Sequence, residues 1–241
     1  MSSTIWTPPA VASESGPARF GLWRAVEAQH IFATMALVDN LDEQHRLERL
    51  LDESKASVPD SAADLHWLLF PPFRYRPPPG GSRFRGPTDP GVFYGADEIR
   101  TACAELGYWR WRHLLETPAL TTIPTRAQTV CRASGAARSI DLRDKSFVRD
   151  RVRWTHRTDY TACQALARVA RSAGVSSIRY ESVRDPERGG CAAVLDPTAF
   201  AKPAPLERQT WLLSVSRTNI VWQRTDGLKS ATFEFPAVTW Q

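Results

Sequence analysis

The residues best suited to chemistry form a short series of Gly, Arg, Tyr and Glu between positions 80 and 105. Gly80 and Gly81 precede Arg83, and two glycines let a backbone approach a ligand closely, while a guanidinium can fork onto a phosphate. Tyr94 ends a predicted strand and Glu105 lies one to two turns into the helix that follows, so both side chains could face one cleft. The alternative is a solvated arginine, a core tyrosine and a surface glutamate. Spacing alone favours this alternative.

Other common catalytic and binding signatures are absent from the sequence. It contains no G-x-x-x-x-G-K-[ST] or G-x-G-x-x-G phosphate loop and no G-x-S-x-G nucleophile elbow. The five histidines show no zinc-ligand spacing, the four cysteines form no C-x-x-C pair, and no helix-turn-helix or RNA-binding pattern is present. We therefore expect no metal, no resident cofactor, and four reduced thiols in a cytosolic protein.

Composition predicts a folded, basic protein without a membrane span. The chain has 241 residues, 42% of them hydrophobic and 24% charged, and its net charge is +5. No apolar run is long enough to cross a bilayer, and the N-terminus lacks the features of a secretory signal. Residues 1–70 carry five basic and ten acidic residues, so the rest of the chain is strongly basic. Such a body could bind nucleic acid, an anionic small molecule or an acidic protein.

The elements that must position the site begin with a predicted helical N-terminal extension. Residues 1–20 are rich in Ser, Pro and Ala and predict a flexible lead-in, and residues 21–70 predict the extension. Its two stripes of apolar residues are Ala25, Val26, Ile31, Phe32 and Met35 in 24–37, and then Leu41, Leu47, Leu50 and Leu51. We expect these acidic helices to pack as a layer against a catalytic domain over 71–241.

The pattern of the remaining chain predicts an α+β fold with a mixed β core. Residues 71–81 are proline-rich and predict loop or extended chain, 92–94 a strand, 97–115 a helix and 139–142 a strand. Residues 159–173 predict a helix that ends before Gly174. The helix over 97–115 is expected to bury Ile99, Ala102, Cys103, Leu106 and Trp109. Five further strands are predicted over 175–180, 191–195, 210–215, 220–223 and 231–235.

The order of several short motifs resembles the RES domain. The motifs are Pro72-Phe73-Arg74-Tyr75, Gly81-Ser82-Arg83-Phe84, Val92-Phe93-Tyr94-Gly95, Ala104-Glu105 and residues 178–184. The similarity covers about 71–196, and residues 23–30 with 42–44 resemble the helical N-terminal extension of one RES subgroup. The family takes its name from an Arg, a Glu and a Ser, which match Arg83, Glu105 and Ser182 in this sequence.

The resemblance implies an ADP-ribosyltransferase-like fold and an enzyme that breaks the nicotinamide–ribose bond of NAD. Many RES proteins do so by hydrolysis or phosphorolysis, so NAD would be the substrate and phosphate a candidate co-substrate. Many are also toxins of bacterial type II toxin–antitoxin pairs that a helix-turn-helix antitoxin of the Xre type silences. The implied catalytic residues are Glu105, Arg83 and Ser182, and the implied substrate-binding residues are Arg74, Tyr75 and Tyr94.

The resemblance gives each of these residues an expected role beside an ordinary alternative. Glu105 would stabilise the sugar cation, and Arg83 would clamp the pyrophosphate. Arg74 would be a second clamp, or else pair with an acidic residue of the N-terminal helices. Tyr94 would stack on nicotinamide or lie in the core. Ser182 would donate to a phosphate or ribose oxygen, or cap a turn.

Two departures from the family pattern bear on activity. Arg85 stands where many members have asparagine, which removes an amide contact. Glu181 stands where many have proline, and its carboxylate either repels a pyrophosphate or points to the opposite face of its strand.

Two other functions remain open at this point. ADP-ribosyl transfer to a macromolecule would use the same site. A non-catalytic basic protein that binds nucleic acid or protein is the other alternative, although the missing reader motif argues against direct nucleic-acid binding. Residues 126–157 carry eight arginines, one lysine and three aspartates, which is typical of an ion-paired surface, although they could also steer an anionic dinucleotide or an acidic antitoxin. Homo-oligomerisation is left open by the sequence.

Overall fold

The computed structural model describes residues 6–28, 37–226 and 229–241, which form a mixed β-sheet with helices packed on it. The strands in these ranges are β1 (Gly16–Glu27), β2 (Phe93–Ala96), β3 (Thr122–Asp141), β4 (Ser177–Glu181), β5 (Gly190–Val194), β6 (Glu207–Ser216), β7 (Asn219–Asp226) and β8 (Lys229–Pro236). The helices are α1 (Pro8–Ser13), α2 (Leu41–Glu53), α3 (Pro71–Arg74), α4 (Ile99–Leu115), α5 (Lys145–Val148), α6 (Arg151–Trp154) and α7 (Thr161–Ser172). The predicted α+β class is confirmed.

The eight strands form one sheet in the order β1-β2-β5-β4-β3-β6-β7-β8. β1 pairs with β2 at one residue and also runs antiparallel to β3 along its whole length, so the first five strands close on themselves. β3 has 20 residues and is long enough to pair with β1, with β4 in parallel, and with β6. The sequence pattern predicted only its last few residues. The buried positions of the rest lie among exposed ones, and three of the seven exposed positions are arginines, so no continuous apolar run marks the strand.

Helix α4 lies between two parts of the protein, and this changes which of its residues are buried. It contacts β1 on one side and β6 on the other. Tyr108 and Trp111 pack with Phe235 and Trp240 in a buried cluster. Trp109, which the simple stripe pattern placed in the core, is 52% exposed. The prediction for Trp109 is therefore wrong, because the buried residues of α4 at this point are its neighbours Tyr108 and Trp111, and Trp109 projects from a different side of the helix.

The N-terminal residues join the central sheet, contrary to the predicted lead-in and helix. Pro8–Ser13 form a helix capped by Thr7, and residues 24–27 are the end of β1. Pairing with the distant strand β3 decides the local structure here. The spacing of apolar residues by three and four positions cannot indicate a pairing partner so far along the chain. The predicted helical residues Ile31, Phe32 and Met35 lie outside the described residues.

Helix α2 forms where the second stripe predicted it, but its leucines do not pack as expected. Leu41, Leu50 and Leu51 are 60%, 55% and 43% exposed. These leucines therefore do not pack the acidic helix α2 against the rest of the described residues. The division of the chain into an extension and a catalytic domain stays a prediction.

A short helix interrupts the proline-rich segment that was predicted to be loop. Pro71 and Pro72 occupy the first positions of α3, where a missing backbone N–H costs nothing.

The helix predicted over 159–173 is confirmed as α7, and Gly174 follows it with a φ of +70°. The four cysteines are free and buried. No helix in the described part of the chain is both long and apolar enough to cross a membrane.

Candidate active site

A cleft of about 330 Å³ lies where β1, the loop after Pro78, α4 and the end of β4 meet. Its charged residues are Arg24, Arg83, Glu105 and Arg184, and three tyrosines, Tyr94, Tyr160 and Tyr180, lie beside them. Trp23, Leu106 and Trp109 form much of its apolar wall. A mostly apolar cleft with a few converging charges is typical of a small-molecule site.

The glycine loop takes its shape from a tight turn that Tyr94 holds in place. Gly81 has a φ of +73°, and a Cβ at this position would overlap the carbonyl oxygen of Arg85. Ser82 N donates to that carbonyl at 2.7 Å. The Tyr94 hydroxyl accepts from Phe84 N at 2.9 Å and shares a hydrogen bond of 2.8 Å with Ser82 Oγ. Burial raises the pKa of Tyr94 to about 12, so the phenol stays protonated. Its hydroxyl can then both accept from Phe84 N and donate to Ser82 Oγ.

Arg83 is only 8% exposed and is held by main-chain carbonyls. Its Nη1 donates to the oxygens of Trp154 and His156 at 2.9 and 3.0 Å. Its Cζ lies 4.8 Å from the ring centroid of Tyr160. Carbonyls and an aromatic face orient the guanidinium without neutralising it, so its charge is available to the cleft.

Glu105 is the carboxylate of the cleft and is half-buried on α4. Its Oε1 accepts from Ser182 Oγ at 2.6 Å. Burial raises the pKa of Glu105, while the Ser182 hydrogen bond and the positive charges of Arg83 and Arg184 act in the opposite direction. The result is a desolvated carboxyl group that faces two cations.

Ser182 lies behind Glu105 and is fully buried, so it does not line the cleft. Besides donating to Glu105, its Oγ accepts from Arg184 N at 3.1 Å and from Asp185 N at 2.9 Å. Of the two roles expected for Ser182, the hydrogen bonds favour the turn cap over a contact with a phosphate or ribose oxygen, and its assignment as a catalytic residue stays a prediction. Ser182 caps the turn that follows β4 and fixes the position of the Glu105 carboxylate.

Arg184 is a cleft residue that the sequence interpretation missed. It is 4% exposed, and its Cζ lies 3.7 Å from the ring centroid of Tyr108. Its Nη2 donates to the Tyr160 hydroxyl at 3.1 Å and to the carbonyl of Arg157. Its position two residues after Ser182, within the same motif, was the available signal.

The RES domain family matches residues 58–216, which is more than half of the chain. The chain belongs to the RES domain family. A solved structure that is similar to this RES protein is a chain of the MbcT–MbcA toxin–antitoxin complex of M. tuberculosis. The two are 12% identical, and the alignment covers 87% of this chain and 92% of that one with a TM-score of 0.48. Among curated proteins, none matches the chain significantly.

Residues before the matched RES segment also build the site. Arg24 on β1 lines the cleft, and its Nη1 donates to the carbonyl of Tyr94 at 2.9 Å. Its buried Nε has no hydrogen-bond partner among the described residues, and burial lowers its pKa. The sequence interpretation missed Arg24 because it assigned residues 24–37 to a helix of the extension.

Two predicted substrate-binding residues of the RES motif lie away from the cleft. The Nε of Arg74 donates to the carbonyl of Ala56, and Tyr75 next to it is 41% exposed at the end of α3. Neither side chain lines the cleft. The short helix α3, which was predicted to be loop, carries both residues away from the site.

The two departures from the RES pattern also lie outside the cleft lining. Arg85 donates to the carbonyls of Asp89 and Pro72 at 3.1 and 3.2 Å and thereby supports its loop. Glu181 accepts from Arg151 at 2.7 Å and from Arg188 at 2.8 Å. Its carboxylate therefore points away from the cleft, as one of the two expectations had it.

Proposed function

We propose that this RES protein cleaves the nicotinamide–ribose bond of NAD. The observation that supports the proposal is the balance of charge in the cleft, which is lined by three arginines and one carboxylate. Among the described residues, Arg24, Arg83 and Arg184 make no ion pair with an Asp or Glu. In the described part of the chain, Glu105 is the one acidic residue that lines the cleft with these three arginines, so the cleft carries excess positive charge that an anionic ligand would balance. A pyrophosphate, which carries two negative charges, fits three cations and one carboxylate.

Glu105 is positioned for the chemistry that this bond needs. Nicotinamide leaves as a neutral amide, so no general acid is required, and the demand is to stabilise an oxocarbenium-like ribose. A carboxylate beside the sugar provides charge and a hydrogen-bond acceptor in a desolvated site. With water, the bond between the anomeric carbon and nicotinamide breaks, the water oxygen bonds to that carbon, and a proton is released. With phosphate, a phosphate oxygen takes the place of the water oxygen.

The biological setting that we propose is a bacterial toxin–antitoxin pair of type II. Membership of the RES family supports the assignment of this chain as the toxin, which would consume NAD in the cytoplasm. An Xre-type antitoxin would be its partner. Co-expression with the product of a neighbouring gene should relieve a growth arrest that this chain causes alone, and an arrest that no neighbour relieves would contradict the pairing.

The decisive experiment is incubation of the purified protein with NAD, with and without phosphate, followed by identification of the products by mass. Free ADP-ribose with nicotinamide indicates hydrolysis, and a phosphorylated ADP-ribose that forms only with phosphate indicates phosphorolysis. Labelled protein would instead indicate ADP-ribosyl transfer. Intact NAD in all samples would overturn the proposal and favour a binding protein without catalysis.

A further inference from the structure

Trp109 is unusual among the tryptophans of the described residues because it is exposed inside a cleft. It is 52% exposed, whereas Trp6, Trp111, Trp154, Trp211, Trp222 and Trp240 are each at most 7% exposed. Trp67 is 40% exposed but lies outside the cleft. A large aromatic surface left open in a ligand-sized cleft indicates a contact with a ligand, because its exposure to water is otherwise unfavourable.

The position of Trp109 ties it to the catalytic carboxylate. It follows Glu105 by four residues on α4, so the two side chains lie on the same face of the helix, one turn apart. Leu106 and Trp23 continue the same apolar wall of the cleft. A ligand that reaches Glu105 therefore passes within one helical turn of the indole.

The indole ring is also held in place before any ligand binds. Its centroid lies 5.3 Å from the ring of Tyr108 in an edge-to-face contact. The Cζ of Arg184 lies 6.0 Å from the same indole. The ring therefore offers a fixed planar surface beside a cation, which suits a flat aromatic group attached to a phosphate.

We infer that Trp109 stacks on one of the two bases of the dinucleotide and makes the cleft favour ligands that carry a flat base over ligands that lack one. This inference rests on the proposed function, since NAD is the ligand that it concerns. Stacking of a base on an aromatic side chain depends on the flat ring and not on hydrogen-bond readout, so a bare indole is sufficient for it.

The test measures affinity by calorimetry in the Glu105→Gln background, where NAD turnover is slowed. Adding Trp109→Ala should weaken NAD binding by about 5- to 150-fold, the range that loss of one stacked base gives. Trp109→Phe keeps a ring and should restore most of the affinity. Trp67→Ala, a matched change of a half-exposed tryptophan outside the cleft, should leave the affinity unchanged.

A second ligand identifies the stacked base. Nicotinamide mononucleotide lacks adenine, so an unchanged affinity for it in Trp109→Ala assigns the stack to adenine, and a parallel loss assigns it to nicotinamide. NAD affinity within twofold of the Glu105→Gln parent overturns the inference. If the wild-type protein binds NAD without cleaving it and Trp109→Ala still weakens that binding, the proposed function fails while the stacking stands. If wild type cleaves NAD and Trp109→Ala does not alter its KM, the function stands and the stacking fails.

Discussion

Arginines line the cleft and also cover the surface around β4, but the two groups differ in their partners. On the β4 surface, defined here by Arg143, Arg151, Arg179 and Arg188, every arginine faces a carboxylate. Arg179 lies 2.8 Å from Asp97, Arg151 lies 2.7 Å from Glu181, and Arg188 lies 2.8 Å from the same Glu181 oxygen. Arg143 lies 2.5 Å from Asp141. The three cleft arginines instead donate to carbonyl groups and a phenol.

The exposure of the two groups differs as well. The β4-surface arginines are between 22% and 54% exposed, whereas Arg83 and Arg184 are 8% and 4% exposed. Exposed ion pairs contribute little to stability, because water and salt screen them. Burial penalises the charge of an arginine, and Glu105 is the one acidic residue of the described ranges that lines the cleft with the three cleft arginines. The comparison shows that the count of arginines is less informative than what each one faces.

The largest expected difference between the two regions concerns their carboxylates, Glu105 in the cleft and Glu181 on the β4 surface. Glu105→Gln keeps the size of the side chain and can still accept from Ser182, but it removes the charge beside the developing sugar cation. Turnover of NAD should fall by about a hundredfold or more, as when one preorganised electrostatic group is lost. Steady-state kinetics with a binding measurement in parallel would show that NAD still binds.

The matched control is Glu181→Gln on the β4 surface. Its carboxylate faces Arg151 and Arg188 and does not line the cleft, so turnover should stay close to that of the wild type. Equal losses of turnover in the two variants would show that the cleft carboxylate has no specific role in catalysis.

The next prediction compares an arginine of the cleft, Arg83, with an arginine of the β4 surface, Arg151. Arg83→Lys keeps the charge but cannot reproduce the planar fork or both carbonyl contacts. NAD affinity should weaken by about 1–3 kcal/mol, which is roughly 5- to 150-fold. Arg151→Lys, which changes the same residue type on the β4 surface, should leave affinity unchanged in the same calorimetric titration. An unchanged affinity in Arg83→Lys would remove this arginine from the site.

Local patterns in the sequence were sufficient where an element depends mainly on its own residues. Helix α7 buries Cys163, Leu166 and Ala170 on one face and ends before Gly174, and the spacing of these residues predicts this. Strand β1 could not be predicted in this way. Its structure depends on twelve residues that pair with β3, more than a hundred positions later in the chain, and the local spacing contains no record of that partner.

The candidate site shows the same division. Arg83, Tyr94 and Glu105 lie at the cleft, as the order of the glycine loop, strand and helix suggested, although their roles stay predictions. For Ser182 both a ligand contact and a turn cap were expected, because sequence alone does not show whether a hydroxyl faces a cavity or a neighbouring carboxylate. Arg24 was missed for a different reason, since it reaches the cleft through the unpredicted strand β1.

A smaller effect concerns the serine behind the carboxylate. Ser182→Ala removes the hydroxyl that donates to Glu105 and leaves the buried N–H groups of Arg184 and Asp185 without this acceptor. Unfolding free energy should fall by about 1–3 kcal/mol. Because the Ser182 hydrogen bond lowers the pKa of Glu105, its loss should also move the acid limb of the turnover profile to higher pH.

Ser177 provides the control for this change because it is another fully buried serine, at the other end of β4. Its hydroxyl contacts that of Ser139 and not a carboxylate. Ser177→Ala should lower stability without moving the pH profile. A Ser182→Ala profile that coincides with the Ser177→Ala profile would refute the coupling between Ser182 and Glu105.

The smallest effect is on stability as a function of pH, and it follows from the cleft carboxylate. Burial raises the pKa of Glu105 above its unfolded value of about 4.3, so the folded state holds this proton more tightly than the unfolded state. The stability that the neutral carboxyl provides is fully present below the unfolded pKa and is lost as pH rises through the folded pKa. Glu105→Gln cannot ionise and should keep its stability over that window, so the variant should gain in Tm relative to the wild type as pH rises from 4 to 8.

In a chain of this size each kcal/mol corresponds to about 2–4 °C in Tm. Calorimetric melts of the two proteins across this range measure the difference directly, and other titrating groups cancel because they are common to both. A difference in Tm that stays constant or shrinks with pH would show that the folded protein favours the charged carboxylate, and that Arg83, Arg184 and Ser182 outweigh the burial of Glu105.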